Sequence, residues 1–84
     1  MKLVYFAWLR ERLGIQEENV DLPSDVTTVA NLFDWLKERD ELFADVFEHE
    51  AIIQVAINKK HEQNRAASIT DASEIALFPP MTGG

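Results

Sequence analysis

The chain has 84 residues, with 15 acidic against 8 basic side chains and a net charge of −7, so it predicts one small acidic domain. Its apolar content of 46 % excludes a disordered chain, and the absence of cysteine excludes disulfides, thiolate nucleophiles and cysteine-ligated metals. The acidic balance argues against nucleic acid and membranes as partners. With no stretch typical of a signal peptide or membrane span, we expect a cytoplasmic protein.

The first half of the chain predicts a strand, a short helix, a second strand and the main helix. Residues 2–7 are apolar at nearly every position, which is typical of a central strand covered on both faces. A short helix follows and ends at Gly14, and residues 17–22 alternate as a returning strand. The main helix is predicted over 25–40, with Thr28 as its cap. Its apolar stripe consists of Val29, Leu32, Phe33 and Leu36.

The second half predicts a weaker helix over 41–48 and three further strands. These are a strand over 51–57, a short polar edge strand over 61–63 and a final strand over 74–78. Because the first and last strands are the most apolar, we expect them to run parallel as central neighbours under the main helix. The fold class is therefore α+β, with a mixed sheet of four to five strands and the main helix on one face.

The sequence ends in Gly83-Gly84, directly after the run Leu77-Phe78-Pro79-Pro80-Met81-Thr82. The two prolines cannot continue a hydrogen-bond ladder and hold the segment extended, and glycine can pass through a narrow slot. This build suits the presentation of the Gly84 carboxylate to the active site of another protein. The alternative is a frayed terminus without function.

No pattern of catalytic or metal-binding residues stands out in the chain. His49 and His61 are the only histidines, and neither has a second ligand at metal-binding spacing. We therefore predict no metal site, and we expect His49 to lie in a solvated loop.

Two phenylalanines raise the question of an exposed apolar surface. Phe6 and Phe78 fall on strands that we expect to be neighbours, so they either form a docking patch near the tail or belong to the core. Arg10 follows the first strand, and its simplest interpretation is a surface arginine that pairs with Glu17 or Glu18.

Three segments carry a family resemblance: Phe6-Ala7-Trp8-Leu9-Arg10-Glu11, Val55-Ala56-Ile57-Asn58, and the ending 74–84 with its Phe-Pro-Pro and Gly-Gly elements. Together they resemble the small subunit of molybdopterin synthase, a ubiquitin-like sulfur carrier. The resemblance covers the whole chain. It implies a single β-grasp domain over 1–84, in which 79–84 form a flexible extended tail.

The same resemblance implies a reaction sequence at the carboxyl terminus. An activating enzyme adenylates the Gly84 carboxylate with ATP, and sulfur from a donor protein replaces AMP to give a thiocarboxylate. The tail then enters the large synthase subunit, where the sulfur passes to cyclic pyranopterin monophosphate and builds the dithiolene of molybdopterin. The chain itself would bind no cofactor. The resemblance also implies a heterotetramer with the large subunit, which would hold the catalytic residues.

The resemblance further implies a docking surface on the sheet. Its apolar positions match Phe6 and Phe78, whereas the third falls near His61, where a histidine departs from the family pattern. The turn Asp71-Ala72-Ser73 lacks the usual glycine, so we expect a different turn type. The implied partner-binding residues are Phe6, Arg10, His61, Phe78, Pro79, Pro80, Met81, Thr82 and Gly83.

Three alternatives share parts of this interpretation. A ubiquitin-like modifier would use the same adenylated Gly84 for attachment to lysines of target proteins, and a thiamin- or tRNA-type sulfur carrier would use the same Gly-Gly ending. A plain interaction domain would have an acidic face and a passive tail. Removal of Gly84 discriminates the last from the others, because only a passive tail tolerates it.

Overall fold

A computed structural model describes residues 1–80 as a five-stranded mixed sheet with helices packed on one face. The elements are β1 (Lys2–Tyr5), α1 (Ala7–Leu13), β2 (Glu17–Asn19), α2 (Val29–Lys37), α3 (Glu41–Phe47), a 3₁₀ turn (Glu50–Ile52), β3 (Gln54–Ile57), β4 (Lys60–Glu62) and β5 (Glu74–Phe78). The strand order is β2-β1-β5-β3-β4. The pair β1–β5 is parallel and the other pairs are antiparallel, which confirms the predicted central pair.

The core lies between the helices and one face of the sheet. Alternation along the strands directs Leu3, Tyr5, Val55, Ile75 and Leu77 to this face, where all are fully buried. The predicted stripe of α2 packs against them and is confirmed as core. With this stripe included, the core residues on the helices are Leu9, Leu13, Val29, Leu32, Phe33, Leu36, Phe43, Val46 and Phe47.

The helices begin and end where the sequence supplies caps. The Thr28 hydroxyl accepts a hydrogen bond from the Asn31 backbone N–H at 3.1 Å, and the Asn31 side chain accepts one from the Thr28 N–H at 3.3 Å. Asp40 caps α3 through the Phe43 N–H at 2.8 Å. Gly14, with φ of 75°, ends α1 as predicted.

Several predicted elements are shorter in the structure. The α2 helix begins at Val29 rather than at residue 25, because Thr28 takes the extended conformation of a cap. The β2 strand ends at Asn19, and the Val20 N–H still donates to the Met1 carbonyl at 2.9 Å. The amino end of the predicted third strand is the 3₁₀ turn instead.

The prediction that the first strand is covered on both faces is wrong. Leu3 and Tyr5 face the core, but Val4 lies half-buried on the opposite face. Phe6 lies beyond the end of β1 with 45 % of its surface exposed, and Ala7 has a φ of 53°, where the chain turns into α1. The apolar run therefore supplies two different surfaces, one for the core and one for the open face of the sheet.

A polar network joins β1, β2 and the end of α2 at the edge of the core. The Tyr5 hydroxyl donates to Glu18 Oε2 at 2.6 Å, and the Arg39 guanidinium donates to both Glu18 oxygens at 2.6 and 3.0 Å. Burial and the Glu18 contact raise the pKa of Tyr5 far above its ordinary value. Burial alone would raise the pKa of Glu18, but the hydrogen bonds from Arg39 and Tyr5 outweigh it and lower that pKa.

Candidate functional site: an apolar groove at the root of the tail

The open face of the sheet carries an apolar groove where β5 ends. Its volume is about 500 Å³. It is lined by Phe6, Ala7, Ala56, Lys59, Glu74, Ala76, Phe78, Pro79 and Pro80, and we call it the tail-root groove. Because its walls are mainly apolar, it can accept side chains of another protein but offers few groups for chemistry.

Two alanines make the floor of the tail-root groove. Ala76 of β5 lies directly opposite Ala56 of β3 in the antiparallel register, and it also pairs with Val4 in the parallel register. Opposed residues on neighbouring strands have adjacent Cβ atoms, so two small side chains side by side leave a trough. Neither alanine was predicted from the sequence to be a site residue.

Phe6 and Phe78 form the aromatic walls of the groove. The Phe6 N–H donates to the Leu77 carbonyl at 3.1 Å, which continues the β1–β5 pairing by one bond. This places Phe6 beside Phe78, as expected, and leaves Phe6 exposed at the surface. The alternative that both are core residues is wrong, because neither is buried with the core residues and both line the groove on the open face.

His61 lies beside the groove on the edge strand β4. It is opposite Ala56 in the register, its ring centroid is 5.7 Å from that of Phe78, and its Nε2 is 2.9 Å from Gln54 Oε1. The structure thus brings His61 to the same face as the two phenylalanines. It gives this side of the groove a polar rim.

An asparagine-centred turn fixes one end of the groove. Asn58 and Lys59 have φ values of 49° and 71°. The Asn58 side-chain oxygen accepts hydrogen bonds from the Ser73 N–H at 2.9 Å, the Ser73 hydroxyl at 3.0 Å and the Glu74 N–H at 3.1 Å. These bonds tie the β3–β4 turn to the start of β5, so Lys59 and Glu74 are held at the groove.

The turn before β5, Asp71-Ala72-Ser73, has no residue in the left-handed region. Within residues 1–80, positive φ values occur at Ala7, Gly14, Asn58 and Lys59, and Ala72 is not among them. The Ala72 N–H donates to the Ile69 carbonyl at 3.1 Å instead. Alanine therefore occupies this turn without left-handed backbone strain.

Arg10 lies exposed on α1, and its predicted pairing is wrong. Glu17 pairs with Lys2 at 3.5 Å, and Glu18 pairs with Arg39. These partners are close because β1 and the end of α2 lie beside β2. Arg10 makes no ion pair in the part of the chain that the structure describes, and it does not line the groove.

The tail leaves the sheet at its central strand. Pro79 is half-buried and Pro80 is exposed, and both line the groove. The predicted site residues Met81, Thr82, Gly83 and Gly84 lie outside the described residues. Within residues 1–80, no cluster of His, Asp or Glu side chains could hold a metal ion, and no helix is long and apolar enough to cross a membrane.

The chain matches the model of the ThiS family over residues 3–84. It is similar to two curated proteins named molybdopterin synthase sulfur carrier subunit. The protein from Dictyostelium discoideum is 29 % identical, with 99 % of this chain and 94 % of that protein covered. The protein from Haemophilus influenzae is 30 % identical, with 100 % and 99 % covered.

Two solved structures share the fold. A candidate molybdopterin converting factor, subunit 1, from Pyrococcus furiosus has a TM-score of 0.72 and 26 % identity, with 95 % of each chain covered. SAMP1 from Haloferax volcanii has a TM-score of 0.72 and 28 % identity, with 99 % of this chain and 97 % of that chain covered. The β-grasp, ubiquitin-like α+β fold is thereby confirmed.

Proposed function

Because the chain belongs to the ThiS family, we propose that it is the sulfur carrier subunit of a molybdopterin synthase. The observation that carries this proposal is the similarity along essentially the whole chain to two proteins of that name. The family match extends through Gly84, so it includes the Gly-Gly ending.

In the proposed reaction, Gly84 carries the sulfur. A carboxylate oxygen of Gly84 attacks the α-phosphorus of ATP in an activating enzyme, and pyrophosphate leaves. Sulfur at the oxidation level of sulfide, supplied by a donor protein, then attacks the acyl carbon of Gly84. The bond from that carbon to AMP breaks, AMP leaves, and Gly84 becomes a thiocarboxylate. In the large subunit the sulfur passes to cyclic pyranopterin monophosphate, and water restores the carboxylate. Glycine at this position suits both displacements, because no side chain shields the carbonyl carbon.

The tail-root groove supports this role by providing the contact that brings the tail to a partner. Aromatic side chains in a preformed apolar groove are typical anchors of an interface. The four residues beyond Pro80 span at most about 13 Å when fully extended. A partner that accepts Gly84 in an internal site must therefore approach close to the groove, so docking and delivery are coupled by distance.

Because the groove is mainly apolar, we assign recognition to this chain and catalysis to its partner. Residues 1–80 supply a recognition surface without a metal cluster. We assign the acid–base groups to the large subunit, in a heterotetramer with two copies of each chain. The net charge of −7 favours partners with basic docking faces, because opposite charges speed encounter. We place the protein, its activating enzyme and the sulfur donor in the cytoplasm.

Intact mass tests the proposal. The protein is purified from cells that also contain its activating enzyme and a sulfur donor. We expect a species heavier by the difference between one sulfur and one oxygen atom, and we expect it to vanish when Gly84 is deleted. A Thr70→Ser variant, which leaves the whole tail unchanged, is the control and gains the same mass. Urea unfolding of each variant checks that the fold is intact.

The same measurement separates the alternative functions. An unmodified mass together with larger covalent conjugates that need Gly84 would contradict sulfur transfer and support a protein modifier. An unmodified mass without conjugates would support a plain interaction domain. A thiocarboxylate that the large synthase subunit cannot discharge would point to a carrier for another sulfur pathway.

A further inference from the structure

A second exposed apolar feature lies at the same end of the sheet as the tail-root groove. Trp8, Arg12, His49 and Ile52 line a cleft of about 240 Å³, which we call the Trp8–Ile52 cleft. Ile52 is 49 % exposed, and Trp8 is half-buried. The volume is sufficient for one apolar side chain of another molecule.

The topology places this cleft across the end of β5. Trp8 follows β1 and Ile52 precedes β3, whereas β5 lies between these two strands. Because β1 runs parallel and β3 antiparallel to β5, Trp8, Ile52 and Phe78 all lie at the same end of the sheet. The tail therefore leaves the domain beside both the tail-root groove and the cleft.

The indole that forms one wall of the cleft is held in place from two sides. The Arg12 guanidinium lies 5.3 Å from the centroid of the Trp8 ring. The His49 ring meets the indole edge-on, with centroids 6.2 Å apart. A preformed cleft lowers the entropy that a partner must overcome on binding.

The distribution of exposed apolar residues also points to this end of the molecule. Within residues 1–80, the exposed large apolar side chains are Phe6, Leu42 and Ile52. Phe6 and Ile52 both flank the end of β5, whereas Leu42 lies on α3 and lines neither the groove nor the cleft. A partner that receives the tail within its roughly 13 Å reach therefore approaches the end of the sheet that carries Phe6 and Ile52.

We propose that the Trp8–Ile52 cleft receives an apolar side chain from the mouth of the tail-accepting channel of the large subunit. This inference rests on the proposed function. The large subunit then contacts the tail root on both sides, through the groove and through the cleft. We assign the cleft to the large subunit rather than to the activating enzyme, because a lasting subunit interface buries more apolar surface than a transient complex.

Binding of the large subunit from the same organism tests this inference with a matched pair of variants. Ile52→Ser and Leu42→Ser each remove an isomeric, similarly exposed aliphatic side chain. We expect Ile52→Ser to raise the Kd for the large subunit by about tenfold and Leu42→Ser to change it by less than about twofold. Urea unfolding shows whether either variant loses stability.

A spectroscopic readout follows the cleft directly. In a Trp35→Phe background, Trp8 is the only tryptophan of the chain. If the large subunit lacks tryptophan or carries phenylalanine in its place, the emission reports Trp8 alone. We expect the emission to move to shorter wavelength at saturation, because docking removes water from the indole.

The outcomes separate this inference from the proposed function. Equal binding by the Ile52 and Leu42 variants, with no change in Trp8 emission at saturation, would overturn the cleft assignment and leave the sulfur carrier intact. Loss of loading by the activating enzyme with unchanged large-subunit binding would overturn the choice of occupant. Failure of the unmodified chain to bind the large subunit would contradict the proposed function itself.

Discussion

Ala76 and Leu77 are neighbours in the chain but lie on opposite faces of the central strand. Leu77 is fully buried under the helices, whereas Ala76 forms the floor of the tail-root groove. One strand thus presents one set of alternate residues to the core and the other set to the groove. The groove is made by small side chains rather than by buried polar groups, so it imposes little desolvation cost on the fold. Substitutions at these two positions should therefore separate folding from docking.

The largest expected effect is on the core side of this pair. Leu77→Ala removes a fully buried side chain, and we expect the free energy of unfolding to fall by about 2–5 kcal/mol because a cavity remains. Urea unfolding followed by circular dichroism measures this change. A loss below about 1 kcal/mol would contradict the assignment of Leu77 to the core.

A substitution at Ala76, on the open face of the sheet, should affect docking rather than stability. Ala76→Leu fills the floor of the groove, and we expect binding to the large subunit to weaken by about tenfold or more. Stability should change by less than about 1 kcal/mol, because the added side chain extends into the groove rather than into the core. Calorimetric titration measures the affinity.

The same substitution at Ala30 is the control for this experiment. Ala30 is exposed on α2, on the helical side of the molecule. Ala30→Leu should leave binding unchanged. Equal loss of binding in both variants would contradict the assignment of docking to the open face of the sheet.

A smaller effect is expected where the core face meets the edge of the sheet. Glu18→Gln weakens the bonds with Tyr5 and Arg39, and we expect a loss of about 1–2 kcal/mol at neutral pH. Because folding lowers the Glu18 pKa below the ordinary 4.5, this stability is present above that value and is lost as the pH falls through the lowered pKa. The stability of the variant should therefore fall less steeply in acid.

Glu17→Gln serves as the matched control for Glu18. Glu17 is adjacent in sequence, about half exposed and paired with Lys2 at 3.5 Å, so its removal should cost less than about 0.5 kcal/mol. Urea unfolding from pH 7 to pH 3 compares both variants with the unmodified chain. If the free energy of unfolding fell by the same amount in acid for all three proteins, the pKa argument for Glu18 would be contradicted.

The order of elements and the identity of the core could be predicted because both depend on local periodicity. The stripe on α2 and the alternation of Ile75 with Leu77 are visible in the sequence and are confirmed in the structure. The boundaries were less predictable, because β2 ends opposite Lys2, where its antiparallel partner β1 begins, rather than where its own residues change. The residues of β2 alone do not show where its partner strand begins.

The site was predicted in part. The phenylalanines could be identified because the ending and the opening motif resemble a known family, and the parallel pairing of β1 and β5 places them together. The floor of Ala56 and Ala76 and the turn held by Asn58 were missed, since both depend on register between distant segments. Arg10 was assigned a wrong partner for the same reason, because Arg39 reaches Glu18 across 21 residues.

Transfer of labelled sulfur tests the central claim most directly. The chain is loaded with a heavy sulfur isotope and mixed with the large subunit and cyclic pyranopterin monophosphate in a single turnover. We expect the label to leave Gly84 and appear in the dithiolene of molybdopterin, and we expect Ala76→Leu to slow this step while Ala30→Leu does not. Label that stays on the carrier, or a product formed without it, would contradict the account.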